Sequence, residues 1–312
     1  IGGTTTTSSN SSNQHHRQRW GARRRVAAPE GTATERRRRA RYAVLVFASS
    51  VAATPEGVAT GKESGDTTTP PVVRRLKIFS VNDVYELHNL SALSCFIRDN
   101  LEPGEEFLCT LNGDFLSPSL LSSLDLGAAA VSVMNRVPVT HACLGNHEFD
   151  HSIETLGQRL AEMESVIVNT NVFACPPGHE AGSAAAAAAA VAAPSGVPFP
   201  HVSGVGTAAA IEASKGDDSS AAGGAFLDHL PRAQKVRVGG VTVALLGLCT
   251  TSTPLSSAKK PKGVVFADCV PMARKMATEL LKEVDAVVAM THQTLPEDAR
   301  LAEEVPEIAL IL

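Results

Sequence analysis

The chain has 312 residues, a net charge of −4 and 44% hydrophobic residues, with only 4% aromatic residues. This length allows one large domain or two ordinary ones, and the hydrophobic fraction is sufficient for a buried core. The mildly acidic balance argues against the basic face that nucleic-acid backbones require, so no nucleic-acid polymer is expected as a partner. The six cysteines form no Cys-x-x-Cys pair, and we interpret them as small buried residues rather than a zinc site or a disulfide framework.

Residues 1–72 have no helical or strand periodicity and are typical of a disordered, low-complexity region. Within them, the arginine-rich stretch and the short apolar run at 36–53 resemble a signal peptide, and the run is too short to span a bilayer. We weigh a targeting segment, which would place the protein at the cell surface or outside the cell, against simple biased sequence. No transmembrane span is evident.

From residue 73 onward, short apolar runs alternate with helical patterns, which predicts an α/β sheet with helices on both faces. The predicted strands are 76–82, 107–111, 138–144, 166–168, 234–238, 241–248, 286–290 and 308–312. Gly239-Gly240 predicts a hairpin between the fifth and sixth of these strands. The predicted helices include 89–100, 271–283 and 296–304. We interpret residues 174–225, which hold an alanine run, as a low-complexity insertion rather than a functional lid.

Four polar blocks lie at the carboxyl ends of predicted strands, where ligands bind in an open α/β sheet. These blocks are Asn82-Asp83-Val84-Tyr85, Gly113-Asp114, Gly145-Asn146-His147-Glu148-Phe149-Asp150 and Thr291-His292. Each has a simpler explanation by itself, as a turn residue, a helix cap or a buried histidine. Together they offer carboxylate, amide and imidazole ligands, a set that suits borderline divalent metals such as Mn, Zn, Fe or Co.

In order and spacing, these blocks match the metallophosphoesterase signature of the 5′-nucleotidase family. From about residue 76 to residue 312, apart from the insertion, the chain therefore resembles the N-terminal, metal-binding part of a calcineurin-like metallophosphoesterase. The Gly-Asn-His-Glu-Phe-Asp block is highly specific, whereas Gly-Asp alone is weak. The resemblance implies an α/β fold, a β-sandwich of mixed sheets flanked by helices, which is incomplete at its C-terminus.

The resemblance also implies two divalent metal ions, which would be Mn, Zn, Fe, Co or Mg. Asp83 would bind the first metal and Asp114 would bridge both. Asn146 and His292 would bind the second metal. A hydroxide bridging the two metals would attack phosphorus in line while the metals take up negative charge.

His147 would be the catalytic histidine of this reaction, and Asp150 would orient it. The imidazole would stabilise the transition state or assist the leaving oxygen, and the carboxylate would fix its tautomer. No covalent nucleophile is needed, so Ser117 and Ser119 have no role in this mechanism.

The chain departs from the family pattern at Tyr85, where the family usually has histidine. Residues two apart in an extended segment point to the same side, so we expect Tyr85 to face the metals with Asp83. A phenol ionises at about pH 10 in water, so it would ligate well only if a metal lowered that value. We favour Tyr85 as a neighbour of the metals with altered ligation over a true phenolate ligand, and His88 is a further candidate replacement.

In the family, a Gly-His-x-His or Gly-His-x-Gln segment after the last strand supplies one ligand to each metal, and a C-terminal domain carries most of the base and sugar recognition. This chain begins with Ile1 and ends at Leu312, before both features. We therefore expect a fragment that binds metal weakly and catalyses poorly. The expected function is dephosphorylation of nucleotides or related small phosphate monoesters. The alternatives are a cyclic-nucleotide phosphodiesterase, a sugar-phosphate phosphatase or an inactive metallophosphoesterase-like binding protein.

Overall fold

The structure is a computed structural model that describes residues 74–180, 182–192 and 224–312. The predicted disordered region at 1–72, with its targeting segment at 36–53, lies outside the described residues, as does most of the predicted insertion. Within the described ranges, no helix has the length and apolar character needed to cross a membrane.

The first sheet contains four parallel strands in the order β1-β2-β3-β4. Their bounds are Ile78–Val81, Leu108–Asn112, His141–Cys143 and Val166–Ile167. β1, for example, is buried along its whole length, as expected for a strand in a parallel sheet covered on both faces. Because parallel strands share a direction, the loops that follow β1, β2 and β3 leave the sheet at one edge.

The second sheet has the order β10-β9-β7-β6 and is mixed. Its strands are β6 (Gln234–Val238), β7 (Val241–Cys249), β9 (Ala286–His292) and β10 (Ile308–Ile311). β7, β9 and β10 are parallel, whereas β6 and β7 form the antiparallel hairpin predicted at Gly239-Gly240. β5 (Val172–Ala174) and β8 (Val264–Phe266) form a separate two-stranded antiparallel sheet.

The described α-helices lie between the strands along the chain. They are α1 (Leu90–Asp99), α2 (Leu120–Asp125), α3 (Ala128–Met134), α4 (Ile153–Ala161), α5 (Ala184–Ala192), α6 (Phe226–His229), α7 (Thr253–Ser256), α8 (Cys269–Leu280) and α9 (Leu295–Glu304). Two short 3₁₀ helices occur at Leu87–Asn89 and His147–Asp150. α9 begins with a capping box between Thr294 and Glu297, which satisfies backbone donors that the first helical turn leaves unpaired.

The two larger sheets pack face to face, which makes the core a sandwich. Leu108 of the first sheet belongs to the same buried cluster as Leu245 and Met290 of the second. The sheets approach so closely at Gly247 that a side chain there would collide with the backbone oxygen of Val168. Separate apolar clusters join α3 and α4 to the first sheet, and α8 and α9 to the second. The layers therefore run helix, sheet, sheet, helix.

Each of the eight predicted strands is present, with ends that differ by up to three residues. The prediction missed β5 and β8, and it also missed the short helices α2, α3, α6 and α7. The alanine run inside the predicted insertion forms α5, and Ala186 of that helix is fully buried.

Candidate metal centre

Two loops at the edge of the first sheet carry the predicted aspartates. Asp83 follows β1 and Asp114 follows β2, and both adopt left-handed backbone conformations, with φ of 54° and 58°. Such angles are uncommon for residues other than glycine and mark positions that the surroundings determine. The Asp83 N–H donates to the Gly113 carbonyl at 3.2 Å, and the Val84 N–H donates to the Asp114 carbonyl at 2.9 Å. These bonds fix the two loops against each other.

Asp83, Asp114 and His292 each place one ligand atom within 4.8 Å of the others. His292 Nε2 lies 3.1 Å from Asp114 Oδ2, while His292 Nδ1 donates to the Asn112 carbonyl at 2.8 Å. Burial lowers the pKa of His292, but the hydrogen bond and charge of Asp114 outweigh it and raise that pKa to about 9. A cation at Nε2 would therefore displace a proton as it binds.

Tyr85 lies between the two aspartates. Its hydroxyl is 2.7 Å from Asp83 Oδ1 and 2.8 Å from Asp114 Oδ2, and it has one proton to share between them. Burial and the two carboxylates raise the pKa of Tyr85 far above its usual value, because each disfavours a phenolate. The side chain thus faces the predicted ligands, whereas the His88 ring is 67% exposed and pairs with Glu86 at 3.6 Å.

The predicted catalytic pair is formed in the 3₁₀ helix after β3. His147 Nδ1 lies 2.8 Å from Asp150 Oδ2, which also accepts the Ser117 hydroxyl at 2.9 Å. Asp150 Oδ1 accepts the Ala258 N–H at 2.5 Å. The His147 backbone N–H donates to Asp114 Oδ1 at 2.9 Å, which links the pair directly to the aspartates.

Asn146 lines the same cleft as Asp83 and His292. The lining of this cleft also includes the polar residues Thr250, Ser252, Gln293 and Thr294. The structure therefore brings all the predicted site residues to one edge of the sandwich. Their individual roles stay predictions.

Glycine is required at two positions of this centre. A Cβ on Gly113 would lie 2.6 Å from His292 Nδ1, and φ at this residue is 78°. A Cβ on Gly145 would collide with the Asp114 carboxylate. The Gly-Asp and Gly-Asn-His blocks therefore contain glycine because the backbone of each loop touches a side chain of the site.

Glu148 was missed as a contributor to the site. It is fully buried, and its carboxylate accepts backbone N–H groups from the loops that carry Asp114 and Gly145. Its place inside the specific Gly-Asn-His-Glu block is the one sequence signal that pointed to it.

No family model matches the chain, and no curated protein matches it. Among solved structures, it is similar to a 5′-nucleotidase precursor from Thermus thermophilus, with a TM-score of 0.53 and 22% identity over 76% of this chain and 40% of that one. The NAD nucleotidase of Haemophilus influenzae gives a TM-score of 0.55 and 20% identity over 76% and 37% of the two chains. The sulfate thiohydrolase SoxB, also from Thermus thermophilus, gives 0.51 and 20% over 73% and 34%.

Over the matched part, the chain has the fold of these 5′-nucleotidase and NAD nucleotidase structures. It spans about two fifths of the nucleotidase structures or less. Identities this low show the fold alone, so substrate and activity in this nucleotidase-type fold have to be argued from the site.

The residues of this nucleotidase-type fold fit a divalent cation. Two carboxylates and one imidazole converge within 4.8 Å, and the cleft beside them also contains the amide of Asn146. Asn112 Oδ1, at the floor of that cleft, is buried and has no hydrogen-bond partner among the described residues. An acceptor-rich, partly buried cluster of this composition is chemically suited to a borderline metal ion.

Proposed function

We propose that this chain is the metal-binding part of a phosphoric ester hydrolase that dephosphorylates nucleotides or related small phosphate monoesters. The observation that carries the proposal is the meeting of two elements at one sheet edge. Asp83, Asp114 and His292 form a cluster of potential ligands, and the His147–Asp150 pair is joined to it by a hydrogen bond to Asp114.

Two divalent cations would be held by the side chains of the cleft. Asp83 and Asp114 would hold the first cation, with Asp114 shared, and His292 and Asn146 would hold the second. When bound, such ions supply Lewis-acid chemistry, because they neutralise phosphoryl oxygens and make a nearby water more acidic.

The His147–Asp150 pair would act in proton transfer to the leaving group. His147 is 27% exposed and Asp150 is 7% exposed, so the imidazole can meet a substrate while its partner stays buried. Three donors converge on Asp150, from His147, Ser117 and Ala258, and they fix the carboxylate in place. A fixed carboxylate at Nδ1 keeps the ring in one tautomer, so that Nε2 can assist the leaving oxygen.

A small polar substrate fits the surroundings of this centre. Hydroxyl and amide side chains line the cleft, including Thr250, Ser252 and Gln293, and these groups suit a sugar or nucleoside rather than an apolar chain. The names of the similar solved structures, a 5′-nucleotidase and an NAD nucleotidase, agree with a nucleotide. The proposal includes a location at the cell surface or outside the cell, which depends on the signal-peptide resemblance at 36–53 that we weighed against simple biased sequence.

A second candidate is an inactive binding protein of the same fold. The position of Tyr85 favours it, because the phenol shares its proton with both candidate ligand carboxylates and would compete with a cation for them. The catalytic pair argues for the hydrolase, since a binding protein has no use for a histidine oriented by a buried carboxylate.

The two candidates are separated by hydrolysis of a nucleoside monophosphate and of p-nitrophenyl phosphate, measured on the natural protein with and without added Mn²⁺. The hydrolase predicts Mn²⁺-dependent phosphate release that Asp114→Asn abolishes. The matched control is Asp285→Asn. Asp285 is exposed, accepts the Thr242 N–H and precedes β9, so it lies at the end of the second sheet away from the candidate metal centre. Equal rates for wild type and Asp114→Asn would sink the proposal, and Mn²⁺ binding without turnover would favour the binding protein.

A further inference from the structure

Glu148 is buried beside the candidate metal centre, and the proposed reaction does not use it. Its Oε2 accepts the N–H of Asp114 at 2.8 Å and that of Gly145 at 2.6 Å. Its Oε1 accepts the N–H of Phe115 at 2.8 Å and that of Leu116 at 3.1 Å. Each carboxylate oxygen therefore accepts two backbone hydrogen bonds, which is the full acceptor capacity of the group.

The three successive N–H groups of residues 114–116 point at one carboxylate. That arrangement depends on the left-handed conformations of Gly113 and Asp114, with φ of 78° and 58°. Successive backbone N–H groups in such a loop form an anion-binding concavity. Here the chain supplies the anion itself, from the 3₁₀ helix that follows β3.

Hydrogen bonds run in both directions between the loop of Asp114 and the segment that contains His147 and Glu148. Glu148 binds the backbone of Asp114, and the backbone N–H of the preceding residue, His147, binds the Asp114 carboxylate at 2.9 Å. Both the main chain and the side chain of Asp114 are thereby fixed by two adjacent residues. When a cation binds, a ligand whose main chain and side chain are already fixed loses little conformational entropy.

The contacts of Glu148 are those of a carboxylate rather than a neutral acid. Burial and the nearby charge of Asp114 raise the pKa of Glu148, and the backbone donors oppose that change. A neutral acid would have to place a proton on an oxygen that already accepts two N–H groups. Glutamine would meet the same conflict, because its amide nitrogen would face two backbone donors.

We propose that Glu148 is a positioning residue whose carboxylate holds the loops of Asp114 and Gly145 and thereby sets the affinity of the centre for divalent cations without touching a cation. The affinity part rests on the proposed function, whereas the hold on the two loops does not. Groups that orient metal ligands from outside the coordination sphere typically change metal affinity by about 10- to 100-fold when they are replaced.

The test combines amide hydrogen exchange with Mn²⁺ titration. In the wild-type protein, the amides of residues 114–116 and of Gly145 should exchange slowly without added metal. Glu148→Gln should speed their exchange and weaken Mn²⁺ binding by about 10- to 100-fold. The matched control is Asn169→Asp, which alters a buried side chain bonded to the backbone of Val172 and Leu227. It should lose stability and leave Mn²⁺ affinity unchanged.

The proposal is overturned if Glu148→Gln folds with unchanged exchange and unchanged Mn²⁺ affinity, or if Asn169→Asp weakens Mn²⁺ binding as much. If Glu148→Gln does not fold, Glu148→Asp keeps the charge but reaches fewer amides, so it should give a smaller change of the same sign. Fast exchange of these amides in the wild type also overturns it. Absence of Mn²⁺ binding in the wild type would count against the proposed function alone, since the exchange measurement still tests the hold on the loops.

Discussion

The phenol oxygen of Tyr85 lies 2.8 Å from Oδ2 of Asp114, the same carboxylate oxygen that His292 contacts at 3.1 Å. Two donors thus converge on one oxygen of the carboxylate that the proposed site shares between two cations. A cation that binds there has to replace the imidazolium proton and weaken the bond to the phenol. We therefore expect the tyrosine to lower the affinity of the site for a cation, relative to a residue such as histidine that offers a free lone pair at the same place.

The first prediction concerns that replacement. Tyr85→His should raise the affinity for Zn²⁺ about tenfold, or ~1.4 kcal/mol, because imidazole ligates this metal without losing a high-pKa proton. Isothermal titration of both proteins with Zn²⁺ and Mn²⁺ measures the change. Tyr85→Phe is the control, since an equal gain there would trace the effect to the lost phenol. Unchanged affinity and unchanged metal preference in Tyr85→His would mean that Tyr85 is not near the metal.

The second prediction compares two glycines with the same backbone angle. Gly104 and Gly113 both have φ of 78°, but a Cβ on Gly104 meets nothing within 4 Å, whereas one on Gly113 meets His292. Gly104→Ala should lower the free energy of unfolding by about 1–2 kcal/mol, from backbone strain alone. Gly113→Ala should cost more and also weaken Mn²⁺ binding. Equal losses in urea unfolding would contradict the close approach of His292.

The third prediction concerns the support of the catalytic pair. Ser117→Ala removes one of three donors to Asp150, a loss of about 1 kcal/mol that should lower kcat about fivefold. Mn²⁺ affinity should not change, because the hydroxyl touches no candidate ligand. Ser123→Ala removes an exposed hydroxyl bonded to the Ser119 carbonyl and serves as the control. A total loss of activity in Ser117→Ala would instead mark the serine as a nucleophile.

The fourth prediction is a pH dependence of stability. Burial lowers the pKa of His141 on β3 to about 4, from an ordinary value of about 6.5. As the pH falls from 6.5 to 4, the unfolded chain binds the proton first, so up to ~3 kcal/mol of stability should be lost over this range. His141→Asn should flatten the pH dependence of urea unfolding, and replacement of the exposed His88 should not. Parallel curves for wild type and His141→Asn would refute it.

Most of the fold was predictable because the strands are short apolar runs, and polar blocks follow four of them. The prediction missed β5 and β8 because they lie outside the two larger sheets and form only through their pairing with each other. The prediction missed α2 for a different reason. α2 exposes Leu120 and Leu124, so its leucines do not mark a buried face.

The convergence of the candidate site residues was predictable because each lies at or after the end of a strand of the sandwich, and these strand ends meet at one edge. The contacts of Glu148 were not, because a glutamate in a sequence does not reveal which backbone donors surround it. The three amides that it binds at residues 114–116 become available only through the left-handed turn at Gly113 and Asp114. Local sequence cannot predict such a contact when it depends on two loops more than thirty residues apart.

The hydrogen bond from His292 Nδ1 to the Asn112 carbonyl joins the two sheets, since β9 ends at one residue and β2 at the other. The candidate metal centre is therefore built from residues of both sheets, and the distances between its side chains depend on how the two sheets pack against each other. Tightly packed interiors transmit small displacements. Substitutions in the buried interface between the two sheets, at Gly247 or Met290 for instance, should therefore lower activity as substitutions of the candidate ligands do. Inherited or selected variants at such positions should be assayed for metal occupancy before they are classed as folding defects.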